Sequence, residues 1–152
     1  MLRRTTPELL AASEERRCGE GPSRVGAVCR DFALLAVSAF RSRGVPARLR
    51  VGFADYFTEG CFEDHWLCEW RDDDRWRRLD VEVAAGAAPS CIPFDPTDVP
   101  HDRFGTAAEA WATTRRRPED AERYGVSALE LAGHWFIVGS VYRMPRRSVV
   151  WK

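Results

Sequence analysis

The sequence predicts an α+β domain: an N-terminal central helix packed on an antiparallel β-sheet, with a helical C-terminal part covering one side. Three observations predict it. An apolar stretch with helical spacing runs from Val28 to Arg43; three stretches with strand-like pattern follow between residues 47 and 83; helical patterns return only beyond residue 106. With 152 residues, 45% of them apolar, and six tryptophans, the chain suits one domain. A domain of this length buries roughly 70% of the surface that its unfolded form exposes.

Residues 1–24 are polar and charged, with a short helical pattern over Glu8–Arg17 that breaks at "GEGPS". In the helix that follows, Cys29, Phe32, Ala33, Ala36 and Phe40 form one face, and Leu34, Leu35 and Val37 make most of the rest apolar. Asp31 in its first turn and Arg41 and Arg43 in its last sit as the helix dipole favours, and Gly44 and Pro46 end it. Ala47, Leu49, Val51 and Phe53 then alternate with Arg48, Arg50, Gly52 and Ala54, the period of a strand. "DYFTEGCFED" is a connection, and "HWLCEW" and "WRRLDVEV" are two strands around the turn-rich "RDDD". Beyond Ala84 the chain turns irregular, then predicts helices at Thr106–Arg116, Pro118–Tyr124 and, by length and position, across "HWFIVGSVYR".

Positive and negative residues cancel, which argues against nucleic acid or an anionic membrane surface as partner. No apolar run reaches the length of a membrane span, and the start lacks the apolar core of a signal peptide. The expectation is a cytoplasmic, soluble protein. Its five cysteines, Cys18, Cys29, Cys61, Cys68 and Cys91, are odd in number, and in a reducing compartment they are thiols.

The two "HWLCEW" and "WRRLDVEV" strands carry a geometric expectation. A four-residue loop at Arg71–Asp74 pairs Trp70 with Arg75, Glu69 with Trp76 and His65 with Asp80. Opposed residues have Cβ atoms about 5 Å apart on one side of the sheet, so the aspartate can hold one imidazole nitrogen and leave the other to work. A slip of one residue would put the pair on opposite faces. Cys29 stands at the start of the apolar helix, where unpaired N–H groups favour a thiolate. A cysteine at a helix tip, a histidine on a strand and an acid on the next are the parts of a nucleophile, a general base and its orienter.

That order, carried by "VCRDFALLAVSAFRSRGVPAR", "DHWLCEW" and "WRRLD", resembles the transglutaminase-like core of the papain-fold superfamily. It is most similar to a bacterial subfamily with the pattern "CRDF…GVPAR…GF…FEDHW…FDP.DVP.DRF…AEAW…WFI.G", and the likeness runs from about Val25 to Tyr142. The resemblance implies Cys29 as nucleophile, His65 as base and Asp80 as orienting acid. It also implies acyl transfer or hydrolysis at an amide bond of a protein, peptide or small amide through a thioester, with no metal or organic cofactor. Residues 1–24 are then a lead-in, the remnant of a longer region, and 25–152 the domain with its C-terminal helical extension. Two departures stand out: no upstream side chain is available to complete an oxyanion hole, and "MPRRSVVWK" differs from the usual ending. They motivate a second expectation, an inactive binding or scaffold domain of the same fold.

A rival arrangement is a zinc site from Cys61, His65 and Cys68, with Cys91 as a fourth ligand. It requires the strand to break, because Cys68 and His65 are an odd number of residues apart. Glu63, Asp64 and Glu69 are expected to be solvated or paired with arginines, and Arg30 and Asp31 to be a helix-start pair. Trp66, Trp70, Trp76, Trp111 and Trp135 are expected in the core or in a cleft wall. The sequence names no partner for His101 or His134.

Overall fold

A computed structural model describes residues 27–86 and 92–144. The expected helix at Glu8–Arg17, together with Cys18 and Cys91, lies outside them. Helix α1 spans Cys29–Ser42. Its first turn is closed by Asp31, which is 4% exposed, accepts the Val28 N–H at 3.2 Å and meets the Arg30 guanidinium at 3.3 Å. At the other end the N–H groups of Arg43 and Gly44 bond back to the carbonyls of Phe40 and Arg41, and Gly44 takes a φ of 77° that lets the chain turn away.

Strands β1 (Ala47–Ala54) and β2 (Phe62–Arg71) pair antiparallel from Ala47 opposite Trp70 to Ala54 opposite Glu63. They form the centre of a six-stranded sheet. Strand β3 (Trp76–Leu79) pairs with the end of β2, and β4 (Phe104–Thr106) with the end of β1. β5 (Tyr124–Val126) joins the start of β2 in parallel, and β6 (Leu131–Ala132) pairs with β5. The sheet is therefore antiparallel except at β2–β5.

Two expectations are corrected here. The stretch "WRRLDVEV" is a strand only to Leu79; Asp80 then caps a one-turn helix, α2 (Val81–Ala84), accepting the Val83 N–H at 3.1 Å. The hairpin register is displaced by two residues, with Glu69 opposite Arg78 and Arg71 opposite Trp76. Arg71 stays in the strand because its N–H bonds the Pro46 carbonyl at 2.8 Å. The turn is instead Asp72–Arg75, where the Asp72 N–H reaches the Arg75 carbonyl at 2.9 Å and its carboxylate takes the Arg77 guanidinium at 2.5 Å. A shift of two keeps every side chain on its expected face. Continued, this register sets Asp80 against Leu67, one diagonal step from His65.

One face of the sheet is covered by helices. α1 lays Val37 and Phe40 over Cys68, Ala47 and Trp70, with Phe40 and Trp70 stacked 5.0 Å apart. Helices α3 (Ala107–Thr114) and α4 (His134–Arg143) bring Ala110 and Ile137 to Phe53 and Tyr124. On the other face Leu67 and Ala54 pack under Val99 and Phe104. Glu69 is also buried on that face, hydrogen-bonded by Arg48 and Arg50 at 2.6 Å each and flanked by Arg78. Burial alone would raise its pKa, and the arginines outweigh that to hold it below the usual carboxylate range. Asp64 pairs with Arg143 of α4, and Glu63 with Ser127.

Helices are found where expected at Ala107–Thr114 and His134–Arg143, whereas Pro118–Arg123 is 3-10 helix and Tyr124 begins β5. Trp135 departs from the expected core or cleft wall, at 63% exposed. His134 finds the Thr114 carbonyl at 3.3 Å and the edge of Trp111. No helix among the described residues is long and apolar enough to cross a membrane.

Candidate active site

β2 has β1 along one side. On its other side β5 reaches only Phe62 and Glu63, and β3 begins at Cys68. The residues between, Asp64–Leu67, have no strand beyond them among the described residues, and His65 lies in this gap. Its side chain is 4% exposed. Nε2 is 2.8 Å from Asp80 Oδ2, and Nδ1 is 4.0 Å from Glu82 Oε2.

Helix α1 delivers Cys29, its first residue, to the same place. Ligand-type atoms of Cys29, His65 and Glu82 all lie within 4.8 Å of one another. Since Nε2 is taken by Asp80, Nδ1 is the nitrogen left for the sulfur. Cys29 is half-buried, so the thiol is shielded without being sealed in.

Asp80 is fully buried and satisfied on both oxygens. Oδ2 accepts from His65 and from the Tyr56 hydroxyl at 2.7 Å, and Oδ1 accepts from Val83 N–H. Its own N–H is fixed to the Pro96 carbonyl at 2.8 Å. Burial pushes its pKa up, but the imidazolium and the hydroxyl and amide donors more than reverse this and hold it below the usual range. Burial likewise opposes a charged His65; hydrogen bonds and charge from Asp80 and Cys29 win, and the ring is pushed up to about 10. Burial drives the Tyr56 hydroxyl upward, and the Asp80 charge adds to it, so the phenol remains a donor. Phe57 packs edge-on to the imidazole at 4.8 Å, with Tyr56 beside it at 6.2 Å.

The three expected residues are thus brought together. The rival zinc set is not: Cys68 is sealed under α1 on the opposite face from His65, and Cys91 lies outside the described residues. Sequence reasoning missed Tyr56 and Glu82. Tyr56 sits in an aperiodic connection, which gives no hint of where its ring points. Glu82 was masked by reading 76–83 as one strand, although an acid two residues after Asp80 was a usable signal.

Residues 19–81 match the family model of the transglutaminase-like superfamily, a span that holds Cys29, His65 and Asp80 and ends just before Glu82. No curated protein and no solved structure matches the chain. The helix headed by Cys29, packed on the sheet that carries His65, is consistent with the core of a transglutaminase-like domain.

Proposed function

We propose that the protein is a cysteine-dependent enzyme acting on amide bonds, with Cys29 as nucleophile, His65 as general base and acid, and Asp80 as the orienting acid. The observation that carries this reading is the 2.8 Å contact between His65 Nε2 and Asp80, with the Cys29 sulfur beside the ring's free side. Transfer of the thiol proton to Nδ1 leaves a thiolate next to an imidazolium. The sulfur attacks the carbonyl carbon of a carboxamide or peptide. Nδ1 then gives its proton to the leaving nitrogen as the C–N bond breaks, and a thioester remains. Water or an amine attacks the thioester, returns a proton to Nδ1 and frees the thiolate. With water the outcome is deamidation or proteolysis; with an amine it is acyl transfer. Asp80, charged and held by three donors, stabilises the imidazolium throughout.

The test is a panel of peptide and small-molecule amides followed by amine release, with Cys29→Ala as blank. Turnover is expected to fall by roughly 10³-fold or more in Cys29→Ala. His65→Ala is expected to slow alkylation of Cys29 by iodoacetamide at neutral pH. Turnover that survives in Cys29→Ala would overturn the assignment. A Cys29 alkylated no faster than Cys61, with no turnover, would leave a binding or scaffold domain.

A further inference from the structure

We propose that Cys29, His65 and Glu82 form a binding site for Zn²⁺, and that the bound ion switches the thiol off. Binding rests on the site geometry alone; the switching rests also on the reading of Cys29 as nucleophile.

The three side chains supply thiolate, imidazole and carboxylate, the ligand types that zinc takes. Their candidate atoms lie within 4.8 Å of one another, and Glu82 Oε2 is 4.0 Å from His65 Nδ1. Ligands on a tetrahedral zinc at about 2.0–2.3 Å from the metal are roughly 3.3–3.8 Å apart, so an inward movement of about 1 Å closes the set. No other group of three such residues comes together among the described residues.

A second observation points the same way. A zinc-bound histidine usually gives its other ring N–H to a carboxylate, which orients the ring and strengthens it as a ligand. His65 does this with Asp80, itself anchored by Tyr56 and Val83. The outer layer of a metal site is therefore already built behind the ring. Glu82 makes no hydrogen bond among the described residues, and its side chain is only 22% exposed. It faces the His65 ring across 4.0 Å, too far for a hydrogen bond, and an ion bridging it to sulfur and nitrogen would replace that loose pairing with direct contacts.

The proton balance is simple. The sulfur and Nδ1 both need their lone pairs for the metal, so any proton on either is released to solvent on binding, while Nε2–H stays on Asp80. The sulfur is then bound to zinc and Nδ1 can take no proton. Three protein ligands leave the fourth position to water.

The experiment titrates the full chain with Zn²⁺ against a chromophoric chelator and with Co²⁺ followed by its sulfur-to-metal absorption. One ion per chain is expected, with the cobalt–sulfur band lost in Cys29→Ser. Glu82→Gln and Glu82→Ala, two variants in case one folds poorly, are each expected to weaken zinc by about 10–100-fold. Zinc at saturation should block alkylation of Cys29. Unchanged affinity in both Glu82 variants, or the absence of one-to-one binding, would overturn the site. Because the titration needs no substrate, the two readings fail separately. Zinc binding without amide turnover removes the enzyme and keeps the metal, whereas turnover insensitive to zinc removes the switch.

Discussion

Asp80 divides its oxygens among three neighbours: Oδ2 holds His65 and Tyr56, and Oδ1 starts α2 through the Val83 N–H. Tyr56→Phe keeps the ring and deletes one donor. A hydrogen bond to a charged group contributes about 1.5–3 kcal/mol. Urea unfolding is expected to show a loss of that order, with slower amide turnover alongside it; an unchanged midpoint would mean that the hydroxyl is idle. At this scale the sequence made much of the site legible. Cys29, His65 and Asp80 could be picked out because their types and order match a chemistry, and the face of His65 follows from its place in β2. Tyr56 could not, since a turn-rich connection has no period from which to infer direction. Glu82 could not while residues 80–83 were taken as strand, because only the Asp80 cap folds it back toward the ring.

Among the elements, α1 and β1 were legible from periodicity and β2 only from His65 onward, its first three residues lying in the stretch expected as a connection; β4, β5 and β6 were not. Two or three residues are too few for an alternation to register, and those strands owe their existence to the longer ones they join. The hairpin shows how an error of register can leave the site standing. Its turn lies two residues from the expected position, an even number, so His65 and Asp80 still share a face. Gly52 marks the tightest place in the sheet. It stands opposite His65 on one side and Thr106 on the other, and a Cβ there would lie 2.1 Å from the Gly105 carbonyl oxygen. Gly52→Ala is expected to cost about 1–3 kcal/mol or more and to disturb the row that holds His65. Gly105→Ala is the control: its Cβ would meet nothing within 4 Å, and its melting temperature should stay near that of the parent.

For the molecule as a whole, the buried ion pair couples stability to pH. The folded pKa of His65 is raised from 6.5 to about 10, so its contribution is complete below about 6.5 and is lost as pH rises toward 10. The folded pKa of Asp80 is lowered, so its contribution is present above the unfolded value near 4 and is lost in acid. Stability is therefore expected to be greatest between roughly pH 5 and 6.5. His65→Gln should flatten the alkaline limb of the urea midpoint; equal slopes in parent and variant would show that the ring carries no extra proton. Cys68, pushed up to about 12 by burial, also weakens the fold in alkali, but it is present in both proteins and leaves the difference intact. The fold that ties these groups together has a consequence for motion. A ring clasped by an acid that is itself clasped to the backbone cannot flip about its Cβ–Cγ axis while α2 is formed. Whenever the ring is neutral its hydrogen sits on Nε2, so the nitrogen that faces the sulfur is always Nδ1. If that single helical turn frays, Asp80 loses its Val83 anchor and the ring is clasped less firmly.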